Sequence, residues 1–149
     1  MRVDAMTTAV AVASLAASGL VPQAPVAPPA PRTPAEMLRR EAIDGAIERA
    51  WRGLDGHRAT PAEEAAIDEI AGEFGNTYGE VVAGGARTVF DMLGLLHDAP
   101  ADAAFADLGS GAGRMVAQCW LECKVQASTG VELSLTRHDC AVEVLARLL

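Results

Sequence analysis

The sequence predicts an α/β fold with parallel strands, preceded by helices and a low-complexity leader. Three observations lead there. One short apolar run, residues 103–108, is bounded by turn signals, as a buried parallel strand is, and a second strand is expected from about 125 to 131. A glycine-rich loop, Gly109 to Gly113, follows the first run directly. Apolar residues then recur at helical spacing over 114–123 and again over 133–149. A length of 149 residues is room for one ordinary domain. Half the residues are hydrophobic, but 30 are alanine and only 4% are aromatic, so most apolar side chains bury little area each. The net charge is −8, and the basic residues are 11 Arg and a single Lys with no cluster, which excludes a basic nucleic-acid module and leaves no nucleic-acid patch. Three cysteines are too few, and odd in number, for a disulfide scaffold. A multi-span membrane protein is excluded as well, and no membrane partner is expected.

Residues 1–33 differ in composition from the rest. Residues 5–21 are Ala-rich and apolar but interrupted by Thr7, Thr8, Ser14, Ser18 and Gly19, too short and too weakly apolar for a membrane span. Arg2 before this run and small residues at Ala13, Ala16 and Ala17 fit a signal peptide, against which stand Asp4 and the free cysteines downstream. An organelle transit peptide is a second reading, and an unstructured leader the simplest. Six of the eight prolines fall between Pro22 and Pro34, as in a polyproline II spacer. The PxxP spacing from Pro25 to Pro28 fits an SH3-type ligand but also arises by chance in Ala/Pro linkers.

Residues 34–75 form a helical segment. Thr33-Pro34-Ala35-Glu36 is a helix start: Thr caps, Pro suits the first position, and Glu36 can reach back in a capping box. Met37, Ile43, Ile47, Ala50, Trp51 and Leu54 supply the apolar stripe, and Gly53 and Gly56 end the helix. The same four residue types recur at Thr60-Pro61-Ala62-Glu63, with Ile67, Ile70, Ala71 and Phe74 as the stripe. Acidic side chains from Glu63 to Glu73 predict a solvated face. The segment 75–80 reads as a loop, and apolar residues from Val81 to Leu96 predict a third helix, weakened by Gly84 and Gly85.

The chemistry lies in residues 76–149. The order strand, glycine loop, helix, strand, acid, helix is the opening of a Rossmann-like nucleotide-binding half. Glycines lacking Cβ let the backbone N–H groups and the helix N-terminus approach a ligand. Glu132, 19 residues beyond Gly113, can accept hydrogen bonds from ribose hydroxyls. A dinucleotide fingerprint would require a third Gly or Ala at position 114, which is Arg. The pattern present is D-x-G-x-G-x-G with Asp107 at the strand end, suited to a ligand with a cationic amine and no phosphate. An NAD(P)-binding domain remains as the alternative, and a non-catalytic cofactor-binding or scaffold fragment as another.

The run from Phe105 to Arg114 resembles motif I of class I S-adenosylmethionine-dependent methyltransferases, and Gly130-Val131-Glu132 resembles their ribose-binding acid. Thr77-Tyr78-Gly79-Glu80-Val81, about 25 residues before the strand, resembles the Y-G-E loop of Dot1-type histone-lysine methyltransferases. The resemblance implies S-adenosyl-L-methionine as cofactor, held by Tyr78, Gly79, Glu80, Phe105, Asp107, Leu108, Gly109, Ser110, Gly111, Gly113 and Glu132. It implies a class I methyltransferase fold and a protein lysine as substrate, histone H3 in nucleosomes for a Dot1-like protein. A nuclear, intracellular location follows from the same resemblance. Arg114 departs from the Gln that several Dot1 proteins carry. The family's substrate-binding elements belong to later strands, so the chain is read as an N-terminal, cofactor-binding part of an incomplete domain, with no catalytic residue assigned.

The remaining candidates have plainer readings. Cys119, Cys123 and Cys140 are expected as small buried thiols rather than a metal site. His57, His97 and His138 have no nucleophile partner pattern. Trp51 and Trp120 are expected in the core, and Arg137 and His138 in solvent.

Overall fold

In a computed structural model of the chain, residues 27–72 and 78–149 are described. The leader readings on residues 1–26, the role of Phe74 and the start of the 75–80 loop lie outside them. Helix α1 (Pro34–Trp51) begins as expected, with Thr33 Oγ accepting from Glu36 N at 3.1 Å. Its box is displaced by one residue, because the Glu36 carboxylate accepts from Arg32 N at 2.8 Å rather than from Thr33. Helix α2 (Pro61–Ala71) has the complete capping box between Thr60 and Glu63. Ile67 is its one buried residue, and Ile70 is exposed. Helix α3 (Ala83–Met92) is shorter than its apolar run, and Met92 and Leu93 are exposed past its buried face of Ala86, Arg87 and Phe90.

Strand β1 (Ala104–Leu108), helix α4 (Arg114–Glu122), strand β2 (Ala127–Val131) and helix α5 (Leu135–Leu148) follow in the expected order. The strands pair in parallel from Ala104↔Ala127 to Leu108↔Val131. The sheet is half-buried rather than buried on both faces. Ser128 Oγ donates to Val116 O at 2.7 Å, which fixes α4 over one face. On the other face Ala104, Ala106 and Leu108, with their partners Ala127, Thr129 and Val131, are exposed.

Two cores hold these layers. One joins Ile43, Ile47, Ala50 and Trp51 of α1 to Ala112 and Val144, and so places α1 against both α4 and α5. The other joins Ala86 and Phe90 of α3 to Leu95, Phe105, Cys119 and Cys123. Trp51 is therefore a core residue as expected. Trp120 and Leu145 are not: both are more than half exposed. The reason is α1. It fills the space between α4 and α5 from one side, and Trp120, Val142 and Leu145 instead line an apolar groove of about 570 Å³ along β2. Guanidinium groups tie the helix ends together. Arg39 donates to the carbonyls of Leu121 and Glu122 at the end of α4, and Arg147 to those of Ala50 and Arg52 at the end of α1.

Glu63 has two tasks. Besides closing the α2 box, its carboxylate accepts from Thr136 N at 2.7 Å, Thr136 Oγ at 2.8 Å and Ser134 Oγ at 3.2 Å, and so caps the start of α5. The Thr60 amide and then the Thr136 groups hold its pKa down at about 2, from 4.5. A carboxyl whose folded value is depressed adds stability that is whole above the unfolded value. That contribution is lost as pH falls from about 4.5 through 2. Glu63→Gln is expected to flatten the acid limb of the stability curve in this window, measured by urea unfolding at stepped pH. An unchanged acid limb would remove Glu63 from the α2–α5 junction.

Candidate functional site

The site is built where β1 and β2 end. After Leu108 the chain turns back on β2, and Gly109 N and Ser110 N both donate to Val131 O, at 2.8 and 3.0 Å. Gly113 N donates to Ser110 O at 2.8 Å, closing a tight loop. Gly113 has φ +79°, begins α4 and carries no side-chain cap, so the first turn of α4 opens on bare backbone. A Cβ there would stand 3.1 Å from Ala141 Cβ, so the missing side chain also lets α5 approach the loop.

Glu132, just past β2, spans this loop. One carboxylate oxygen accepts from Gly111 N at 2.7 Å and the other from Ser134 N at 2.9 Å. Asp107 is half-buried at the end of β1, and burial and then the Glu132 charge push its carboxyl above the ordinary range. Two carboxylates thus converge beside backbone amides, an arrangement that accepts hydrogen bonds from hydroxyls or an ammonium and repels phosphate.

Tyr78 lies across the loop. A Cβ on Gly111 would be 2.6 Å from Tyr78 Cε2, so the ring rests directly on that glycine. The Tyr78 hydroxyl donates to Glu80 Oε1 at 3.0 Å. The His57 ring stands edge-on to it with centroids 4.6 Å apart, and the Arg137 guanidinium lies 4.9 Å from its centroid. Burial, aided by the Glu80 carboxylate, raises the phenol above its ordinary value. Glu80 is held in turn by Arg114 at 3.3 Å; Arg114 also pairs with Glu48 and lies over the Trp51 ring.

The structure therefore brings Tyr78, Glu80, Asp107, Gly109, Ser110, Gly111, Gly113 and Glu132 around one loop. Gly79 is exposed beside Tyr78. Leu108 is 74% exposed on the open sheet face, and Phe105 is in the core with its ring edge-on to Phe90. Arg137 corrects an expectation: it is only 6% exposed, drawn in by the Tyr78 ring. His57, Arg137 and the bridging role of Arg114 had no signal in the spacing, since their partners are distant in sequence.

A family model described as "Histone methylation protein DOT1" matches residues 69–147, just over half of the chain. The match begins in α2 and reaches the last turn of α5, taking in Tyr78, the glycine loop and Glu132. No curated protein matches the chain, and no solved structure does.

Proposed function

The chain belongs to the DOT1 histone methylation family, and from that premise we propose that its glycine loop binds S-adenosyl-L-methionine for methyl transfer to a protein lysine, in histone H3 of nucleosomes. The observation that carries the reading is the convergence of Glu132 and Tyr78 on Gly111, with half-buried Asp107 at the end of β1 close enough to feel the Glu132 charge. The residues fit this cofactor. Asp107 accepts from its cationic amine, and Glu132, with lone pairs left beyond its two amide donors, accepts from the ribose hydroxyls. Gly109, Gly111 and Gly113 let the backbone come close. Arg114 speaks against a pyrophosphate ligand such as NAD(P), because its guanidinium is turned to Glu48 and Glu80.

When bound, the sulfonium supplies the methyl group. The chain's own residues orient it: Tyr78 covers the loop and excludes water, and the carboxylates fix the two ends of the ligand. In this reading residues 76–149 are the cofactor-binding part, and 34–75 the helical segment that buttresses it through α1. In this reading the protein acts at chromatin, in the nucleus. No helix among the described residues is long and apolar enough to cross a membrane.

Glu132→Ala is expected to weaken S-adenosylmethionine binding by about 1–3 kcal/mol, the range of a lost charge-assisted hydrogen bond. Titration calorimetry on the purified chain measures it, and unchanged affinity would sink the assignment. Transfer of labelled methyl to nucleosomes then separates an enzyme from a cofactor-binding scaffold.

A further inference from the structure

Tyr78 is the only tyrosine in the chain, and residues with no place in the cofactor reading hold it. Arg137 comes from the first turn of α5, where its amide donates to Ser134 Oγ at 3.2 Å. Its side chain is buried, its Nε has no hydrogen-bond partner, and no carboxylate among the described residues pairs with it. A buried guanidinium without a carboxylate loses much hydration, and among the described residues the Tyr78 ring lies against it. His57 comes from the turn between α1 and α2 and meets the same ring edge-on. Beside it, buried Gly56 leaves room for the phenol: a Cβ there would be 2.1 Å from the Tyr78 hydroxyl. Two separate parts of the chain, the α1–α2 turn and the start of α5, thus hold one ring on Gly111.

We propose that His57 and Arg137 are positioning residues that press the Tyr78 ring onto Gly111 and so set the affinity of the loop for S-adenosylmethionine. The proposal rests on the cofactor reading above. It makes the helical segment part of the site, through His57 and Gly56, rather than a support alone.

Because there is one tyrosine, labelling with 3-fluorotyrosine gives one fluorine resonance that reports on this ring. Arg137→Met, which keeps length and loses charge, is expected to move that resonance toward the free fluorophenol position. It is also expected to weaken S-adenosylmethionine binding about tenfold, the size of a desolvated cation–π contact. Arg137→Lys restores the cation and is expected to recover part of both effects. His57→Ala leaves the guanidinium in place, and a smaller movement of the resonance with weaker binding is expected. Circular dichroism and thermal melting check that each variant is folded. An unmoved resonance in folded Arg137→Met, or a moved one with unchanged binding, overturns the proposal. If the unaltered chain fails to bind S-adenosylmethionine, the cofactor reading fails and the affinity claim falls with it. The fluorine signal still decides whether Arg137 and His57 place the ring.

Discussion

Arg87→Met is expected to lower the unfolding free energy by about 3–5 kcal/mol, the range for removing one partner of a buried ion pair. Arg87 projects from α3 into the junction with α1 and α4. Its Nε donates to both Glu122 oxygens at 2.9 and 3.0 Å, and Nη2 pairs with Glu122 again. The same guanidinium reaches Asp44 of α1 at 2.5 and 3.2 Å. The Arg87 and Glu122 side chains are 9% and 3% exposed, while Asp44 is 40% exposed. Burial works against the Arg87 charge, yet Asp44 and Glu122 more than compensate and hold the guanidinium above its ordinary value. Without Arg87, water can reach Asp44 but not Glu122, whose remaining side-chain donor is Gln118 at 3.3 Å. Two companion variants test that account. Asp44→Asn should lose less than about 1 kcal/mol, because a half-hydrated pair is screened. The double variant Arg87→Met with Glu122→Met should recover much of the loss, since a packed apolar pair replaces an ion pair at little penalty. Urea unfolding gives all three values. A loss of less than about 1 kcal/mol in Arg87→Met would mean that Glu122 is not isolated by burial.

The same cluster shows where sequence reasoning stops. Caps and loops are local, so Thr33, Thr60 and the Gly109–Ser110–Gly111 turn announce themselves within four residues. The β–glycine loop–α–β order is likewise carried by contiguous patterns, and the strands and helices fall where those patterns put them. Which face of a helix is covered is a different matter. Spacing gives a stripe, and the stripe of α4 includes Trp120 as readily as Cys119. Tertiary packing decides: Ala86 and Phe90 of α3 and Phe105 of β1 bury Cys119, while α1, anchored by Arg39, Arg147 and the Trp51 core, packs elsewhere on α4 and leaves Trp120 exposed.

Charged residues show the limit most sharply. Arg87 and Arg137 look like solvated groups in the sequence, because nothing local distinguishes a guanidinium that meets a carboxylate or a ring from one that meets water. Arg114 had only negative value, as the residue that spoils a dinucleotide fingerprint. In the fold it links Glu48 of α1 to Glu80 beside the loop, 66 and 34 residues away. Glu63 was legible for its box with Thr60 and silent about Thr136, 73 residues on. The glycine loop and the motif side chains Tyr78, Glu80, Asp107 and Glu132 were readable; the distant groups that hold them, His57, Arg137 and Arg114, were not.

Gly111→Ala is expected to weaken S-adenosylmethionine binding more than about tenfold while lowering stability by only about 1–2 kcal/mol, the penalty of a left-handed alanine. Gly111 has φ +54°, so any side chain there is strained. Its Cβ would also stand 2.6 Å from Tyr78 Cε2, closer than two carbons come, and Arg137 and His57 leave the ring no easy retreat. The ring must leave, or the loop must shift and draw Gly111 N away from Glu132. Either movement dismantles the surface on which the ligand would rest. Two neighbours separate strain from collision. Gly109 has φ +83° with nothing within 4 Å of a built Cβ, so Gly109→Ala carries the strain alone and is expected to lose stability with a smaller loss of binding. Gly79 has no such φ and open space around it, so Gly79→Ala is expected to leave stability unchanged. Calorimetric titration and thermal melting of the three variants rank them. Binding losses that follow stability losses across the set would show that backbone strain, not contact with Tyr78, makes Gly111 indispensable.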